Sequence, residues 1–173
     1  MTQRDKIAFV ALAVAFVVGG FRLGWGVSLH SPWWTHLAFQ FTHGNIFHLA
    51  GNLLAVWLYC KSGRVTTKMW CIAFAIASTI SLLYLFDKPL VGFSGTIMAV
   101  SGMFLPYIWK RSGKQFLLAL SACSLFSLLF GQWTAVLFHL LALLLGVLYT
   151  QTKRLNDDYR RENKRTQGRT HSA

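Results

Sequence analysis

The sequence predicts an all-α fold, a polytopic membrane protein with six transmembrane helices, and three observations predict it. The first is composition: 54% of the 173 residues are hydrophobic and only 13% are charged, against roughly 45–50% and roughly 25% in a soluble globular domain. The second is spacing. The 38 residues from Leu23 to Cys60 carry no Asp, Glu, Lys or Arg, and neither do the 38 from Gln115 to Thr152; uncharged apolar stretches of about 18 residues already read as membrane spans. The third is the placement of charge. Of 17 Lys and Arg, 15 fall in the amino end (Arg4, Lys6), the segments Lys61/Arg64/Lys68 and Lys110/Arg111/Lys114, and the tail from Lys153. A net charge of +12 would ordinarily raise nucleic acid as a partner. Here the bases flank apolar blocks, so the partner they imply is the lipid bilayer, with no nucleic acid.

From the amino end, the uncharged runs are Ile7–Phe21, Leu23–Cys60, Met69–Phe86, Pro89–Trp109 and Gln115–Thr152. All four basic clusters are expected on the cytoplasmic side, and two cytoplasmic segments must be joined by an even number of spans. The first run follows Arg4 and Lys6 as a signal peptide's would, but no small-x-small cleavage site precedes the next apolar segment, so it is expected to be retained. Its 15 residues fall short of the roughly 20 that a roughly 30 Å hydrocarbon core needs, which predicts a helix extending past Arg22, whose side chain would snorkel at the outer boundary.

Leu23–Asn45 is then mostly an outer-surface segment with interfacial Trp33 and Trp34, and the second span follows from about Ile46 to Cys60. The third and fourth spans are joined outside by Asp87-Lys88-Pro89. Gln115–Thr152 must turn once, at Gly131-Gln132, which gives the fifth and sixth spans with both chain ends cytoplasmic. Residues 1–152 form the membrane domain. Residues 153–173 hold seven bases and three acids and are expected to be a disordered tail or to lie on anionic lipid. Cys60, Cys71 and Cys123 give no disulfide framework and no metal spacing.

Within a bilayer a polar side chain needs a partner or a task, and three places raise the question. In the run from Phe41 to Asn52, His48 and Asn52 stand four apart, on one helix face, with His43 and Asn45 ahead of them at the outer end. At the start of the fourth span, Gly92 and Gly95 bracket Phe93-Ser94 where a loop becomes a helix; the unpaired N–H groups of such a start favour developing negative charge. In the sixth span His139 is set among Leu137, Phe138, Leu140 and Leu141. Counted from Trp133 near the outer surface, six residues at about 1.5 Å each place it about 9 Å deep, and Ser94 enters from the same side. Gly95, Ala99 and Gly102 share one stripe, and His139, Ala142 and Gly146 share another, so the two backbones can approach closely.

Each feature has a plainer reading. A membrane serine commonly bonds back to its own carbonyls, and the His48/Asn52 pair could be interhelical glue. His30 and His36 read as solvent-facing residues of the outer segment. A metal site from His43, His48 and His139 has suitable ligand types but no nearby carboxylate and no His-Glu-x-x-His segment, so metal and cofactor are both expected to be none. A small transporter or metal carrier using the histidines would be a further class of function. What favours chemistry is that nucleophile, base and amide donor are placed at one outer depth by separate topology arguments.

Together, His43-x4-His48-x3-Asn52 on the second span, Gly92-Phe93-Ser94-Gly95 opening the fourth and His139 in the sixth resemble the rhomboid intramembrane serine proteases in order, spacing and topology. The resemblance covers roughly residues 7–150. It implies that Ser94 is the nucleophile and His139 its general base, that His48, Asn52 and the Ser94 N–H serve the oxyanion with Gly92, Gly95 and His43 in support, and that transmembrane proteins in a cell's inner membrane are the substrates. The residues themselves agree on a dyad, because Asp87 is the only acid outside the cytoplasmic segments and lies seven residues before Ser94 in an exposed link. Three positions depart from the family pattern. Met98 stands where a Tyr often stacks on the base, Ala142 where a Gly usually follows it, and Trp34-Thr35 where the outer loop often has Trp-Arg. These changes leave open a catalytically silent rhomboid-like protein that binds client transmembrane helices.

Overall fold

The computed structural model describes residues 3–106, 109, 114 and 133–170. The predicted fifth span, the turn at Gly131-Gln132, Lys110, Arg111 and Cys123 lie outside the described residues. Among the described residues there are five longer helices and one short one: α1 Gln3–Gly19, α2 Thr35–Ala38, α3 Ile46–Ser62, α4 Thr67–Ser81, α5 Ser94–Pro106 and α6 Trp133–Thr170. Two 3-10 turns, Leu23–Trp25 and Phe39–Phe41, flank α2. Among the described residues there is no strand, only an isolated antiparallel bridge between Val27 and Leu90.

Local sequence accounts for both ends of α3 and the start of α4. Asn45 caps α3, its side chain accepting the His48 N–H at 2.9 Å, and Gly63 at φ +63° closes the other end. Thr66 caps α4 in the same way through the Met69 N–H. Two expected boundaries are corrected. The first helix stops at Gly19 instead of passing Arg22: Gly20 turns left-handed at φ +52°, and a Cβ on Gly19 would overlap the Phe41 carbonyl, so the pair lets the outer segment cross the helix end. Arg22 lies over the Trp25 ring, 5.1 Å from its centroid. The predicted third span, α4, stops at Ser81, five residues before Phe86: Leu82 to Tyr84 turn back on the helix end and the chain then reaches the outer segment, where the Leu29 N–H donates to the Phe86 carbonyl.

The core is organised around α5. Ala99, Val100 and Met103 of α5 pack with Ala73, Ala77 and Ile80 of α4 and with Phe138 and Ala142 of α6. Ile97 and the preceding Phe93 pack with Phe16 of α1 and with Leu49 and Val56 of α3. The α5–α6 contact is backbone on backbone: a Cβ on Gly102 would strike the Leu143 carbonyl, and one on Gly146 the Ala99 carbonyl, which is the small-residue packing that lipid favours. Polar bonds add to it. Tyr59 donates to Ser101 Oγ at 2.6 Å, which in turn donates to the Ile97 carbonyl, and Thr150 donates to the Met103 carbonyl.

The outward faces are apolar. Val10, Val14 and Val17 on α1, Leu54 and Leu58 on α3, and Leu137, Leu140, Leu144 and Leu148 on α6 are exposed at helical spacing, a pattern that water disfavours and lipid accommodates. Among the described residues one helix, over Trp133–Asp157, is long and apolar enough to cross a membrane by itself; α4, α5 and the apolar part of α1 are shorter. Beyond Thr152, α6 continues to Thr170, where the sequence predicts either disorder or a stretch lying on anionic lipid; a helix corrects the first and leaves the second open. That stretch holds seven Arg and Lys, which are good helix formers, and no proline, so a helix already nucleated upstream can extend through it.

Candidate active site

Ser94 is the first residue of α5, and the turn before it sets its position. Gly92 holds φ +108°, which L side chains rarely adopt, and its N–H donates to the Phe39 carbonyl at 2.8 Å. The Phe93 carbonyl accepts the first α5 bond, from the Ile97 N–H at 3.1 Å. The N–H groups of Ser94, Gly95 and Thr96 therefore lie ahead of the helical ladder, at the positive end of the α5 dipole.

The sequence places Phe138-His139 in the second turn of α6, facing this start. A Cβ on Gly95 would overlap the Phe138 ring, so the glycine admits that ring and with it the next residue. His139 Nε2 lies 2.7 Å from Ser94 Oγ. With the imidazole proton on Nδ1, the Ser94 hydroxyl donates to Nε2, the geometry in which a neutral ring can take that proton.

On the other side of Gly92 stand two residues from α3. A Cβ on Gly92 would collide with the His48 ring and come within 3.4 Å of Asn52 Nδ2, so both side chains border the turn that leads into Ser94. Asn52 is buried, and its Nδ2 has no hydrogen-bond partner among the described residues; a buried, unspent amide donor is costly unless something arrives to use it. His43, in the outer segment, is fully buried, and neither ring nitrogen has a hydrogen-bond partner among the described residues. Its ring meets Phe16 and His48 edge-on, at 4.9 and 5.3 Å between centroids. Burial, and then the neighbouring His48, lower its pKa from 6.5 to about 4. Among the described residues no group of three or more His, Cys, Asp or Glu side chains is placed to hold a metal ion.

The structure thus brings Ser94 and His139 into hydrogen-bond contact, groups His48, Asn52 and His43 around Gly92, and sets Gly95 against Phe138. Met98 is partly buried in the core shared by α4, α5 and α6, and Ala142 is fully buried there, its methyl accommodated at the close helix contact. His30 is exposed as expected, but His36 is corrected: it is half-buried, with Nδ1 2.9 Å from Ser81 Oγ.

The outer segment is anchored without a Trp-Arg pair. The Thr35 hydroxyl donates to the Pro32 carbonyl at 2.7 Å and lies 3.0 Å from Ser31 Oγ, which bonds back to Ser28. Val27 and Leu90 exchange both backbone bonds, at 3.0 and 2.8 Å. Sequence reasoning missed the Asn45 cap, although an Asn before an apolar run is a start signal. It also missed Gln40, fully buried and bonded to α4 and α5, for which no local signal exists.

Fold and cluster define a class, a helical membrane protein whose apolar faces look outward and whose polar groups gather at one end of its central helix. Within that class the chain belongs to the rhomboid family: the family model for the Rhomboid domain matches residues 30–155, well over half of the chain. Comparison with curated proteins and with solved structures gives no match.

Proposed function

We propose that this rhomboid-family protein is an intramembrane serine endopeptidase. It crosses an inner membrane six times with both ends cytoplasmic, residues 1–152 forming the membrane domain, and it cleaves transmembrane proteins near the outer face. The observation that carries the activity is the 2.7 Å bond between Ser94 Oγ and His139 Nε2. As Ser94 Oγ attacks the carbonyl carbon of a peptide bond, its proton passes to His139 Nε2 and the carbonyl oxygen becomes an oxyanion. Collapse of that intermediate breaks the C–N bond, and His139 returns the proton to the leaving amine. Water then attacks the acyl-enzyme by the same proton route, releasing the acid and restoring Ser94.

The oxyanion needs donors already in place. The Ser94 N–H at the start of α5, the buried Asn52 amide, whose Nδ2 has no partner among the described residues, and the His48 ring beside Gly92 are the candidates, each worth about 10²–10³ in rate. In this reading the pair works without a carboxylate. The sequence offers only Asp87 on that side, so His139 is oriented by packing, as suits a low-dielectric site where an extra buried charge is costly. A substrate helix must unwind locally to present its peptide bond, which favours small or helix-breaking residues near the outer boundary.

Covalent labelling with a fluorophosphonate tests the proposal. The parent is expected to be labelled, and Ser94→Ala and His139→Ala are expected to lose all labelling while remaining folded. A folded parent that stays unlabelled under conditions that label an active rhomboid protease would overturn it and leave client binding as the function.

A further inference from the structure

Resting on that dyad, we infer that Gln40 is a positioning residue: through Thr96 it fixes the first turn of α5, and so the direction in which Ser94 meets His139. Gln40 sits in the outer segment, fully buried, with its amide committed on both sides. Nε2 donates to Ser78 Oγ at 2.8 Å and to the Phe74 carbonyl at 3.3 Å, both on α4, while Oε1 accepts from the Thr96 hydroxyl. Thr96 is fully buried as well and stands two residues after Ser94.

The first turn of a helix lacks the bonds that stiffen the remainder, so its direction depends on what holds it from outside. Two holds bracket Ser94. The Phe39 carbonyl takes the Gly92 N–H two residues before it, and Gln40 takes Thr96 two residues after it. Both come from adjacent residues of one segment, which is itself pinned to the end of α1 where the His43 N–H and the Thr42 hydroxyl donate to the Gly20 carbonyl. The Phe39 ring also meets Phe138 edge-on, at 5.9 Å and 83°, so the same short segment touches the residue next to His139. A neutral amide suits this position because it donates and accepts at once and leaves no buried charge uncompensated.

Thr96→Val removes the hydroxyl and nearly keeps the shape. Relative to the parent, it is expected to shift the 15N resonance of His139 Nε2 toward the value in Ser94→Ala, where the hydrogen bond is gone. It is also expected to slow phosphonate labelling and kcat by about 10-fold or more through misalignment, with KM within about 2-fold of the parent. Thr96→Ser is expected to restore all of these. Should Thr96→Val fail to fold, Ser78→Ala, which strips Gln40 of a partner on α4 without touching α5, is read in the same way. A folded variant with the parent's Nε2 resonance and labelling rate overturns the inference. If the parent is not labelled at all, the protease proposal fails separately, and the Nε2 resonance still decides the positioning role: moved supports it, unmoved overturns it.

Discussion

At Gly92 a single methyl group would undo the site twice. The backbone there is left-handed at φ +108°, and the space a Cβ needs is taken by the His48 ring. Gly92→Ala is expected to destabilise the protein by about 1–3 kcal/mol through backbone strain and to cut phosphonate labelling by about 10²-fold or more, as positioning losses do; unfolding in detergent and the labelling rate measure the two effects.

His43 supplies a pH dependence whose sign is fixed by its burial. Its pKa is lowered from 6.5 to about 4 in the fold, so as pH falls through this interval the unfolded chain takes up a proton that the folded one does not, and stability declines. Above about pH 6.5 both states are neutral and the effect vanishes. Thermal unfolding between pH 7 and 4 should therefore fall more steeply for the parent than for His43→Phe. Ser94, His139, His48 and Asn52 could be singled out as candidates in sequence because a polar residue in an apolar run demands a reason. Gln40 and His36 were not, because in an outer segment a polar side chain is ordinary, and only the fold shows that these two turn inward to Ser78 and Ser81.

Elements were legible where their cause is local. The small-residue stripes of α5 and α6 meet as their spacing required, Gly102 against Leu143 and Gly146 against Ala99. Ends set by distant partners were harder. α1 stops for the chain crossing at Phe41, and α4 stops so that Phe86 can pair with Leu29, and neither partner is near in sequence. The α3 start is the opposite case. Its Asn45 side chain takes the His48 N–H, so Asn45→Ala should lower stability by about 1 kcal/mol while Asn45→Ser stays near the parent. Because the capped residue is His48 itself, labelling should slow in the alanine variant and not in the serine variant.

On the scale of the whole molecule, charge placement is the argument for the proposed orientation. With 15 of 17 bases in four clusters, a carboxyl-terminal green fluorescent protein fusion should be fluorescent and an alkaline phosphatase fusion inactive; the reverse pattern would refute the proposed topology. The helical state of the carboxyl-terminal stretch was not legible, since a charged composition describes solvation and says little about whether an upstream helix continues.

The central helix has a further consequence for where water can go. Ser94 is the first residue of α5, and the chain on its amino side is the Gly92 turn. In the proposed orientation α5 runs from Ser94 toward the cytoplasm, so the serine stands at the helix end nearer the outer aqueous phase. The water that deacylation consumes is then supplied from the serine's own side of the bilayer, and a substrate is met near the rim of the membrane.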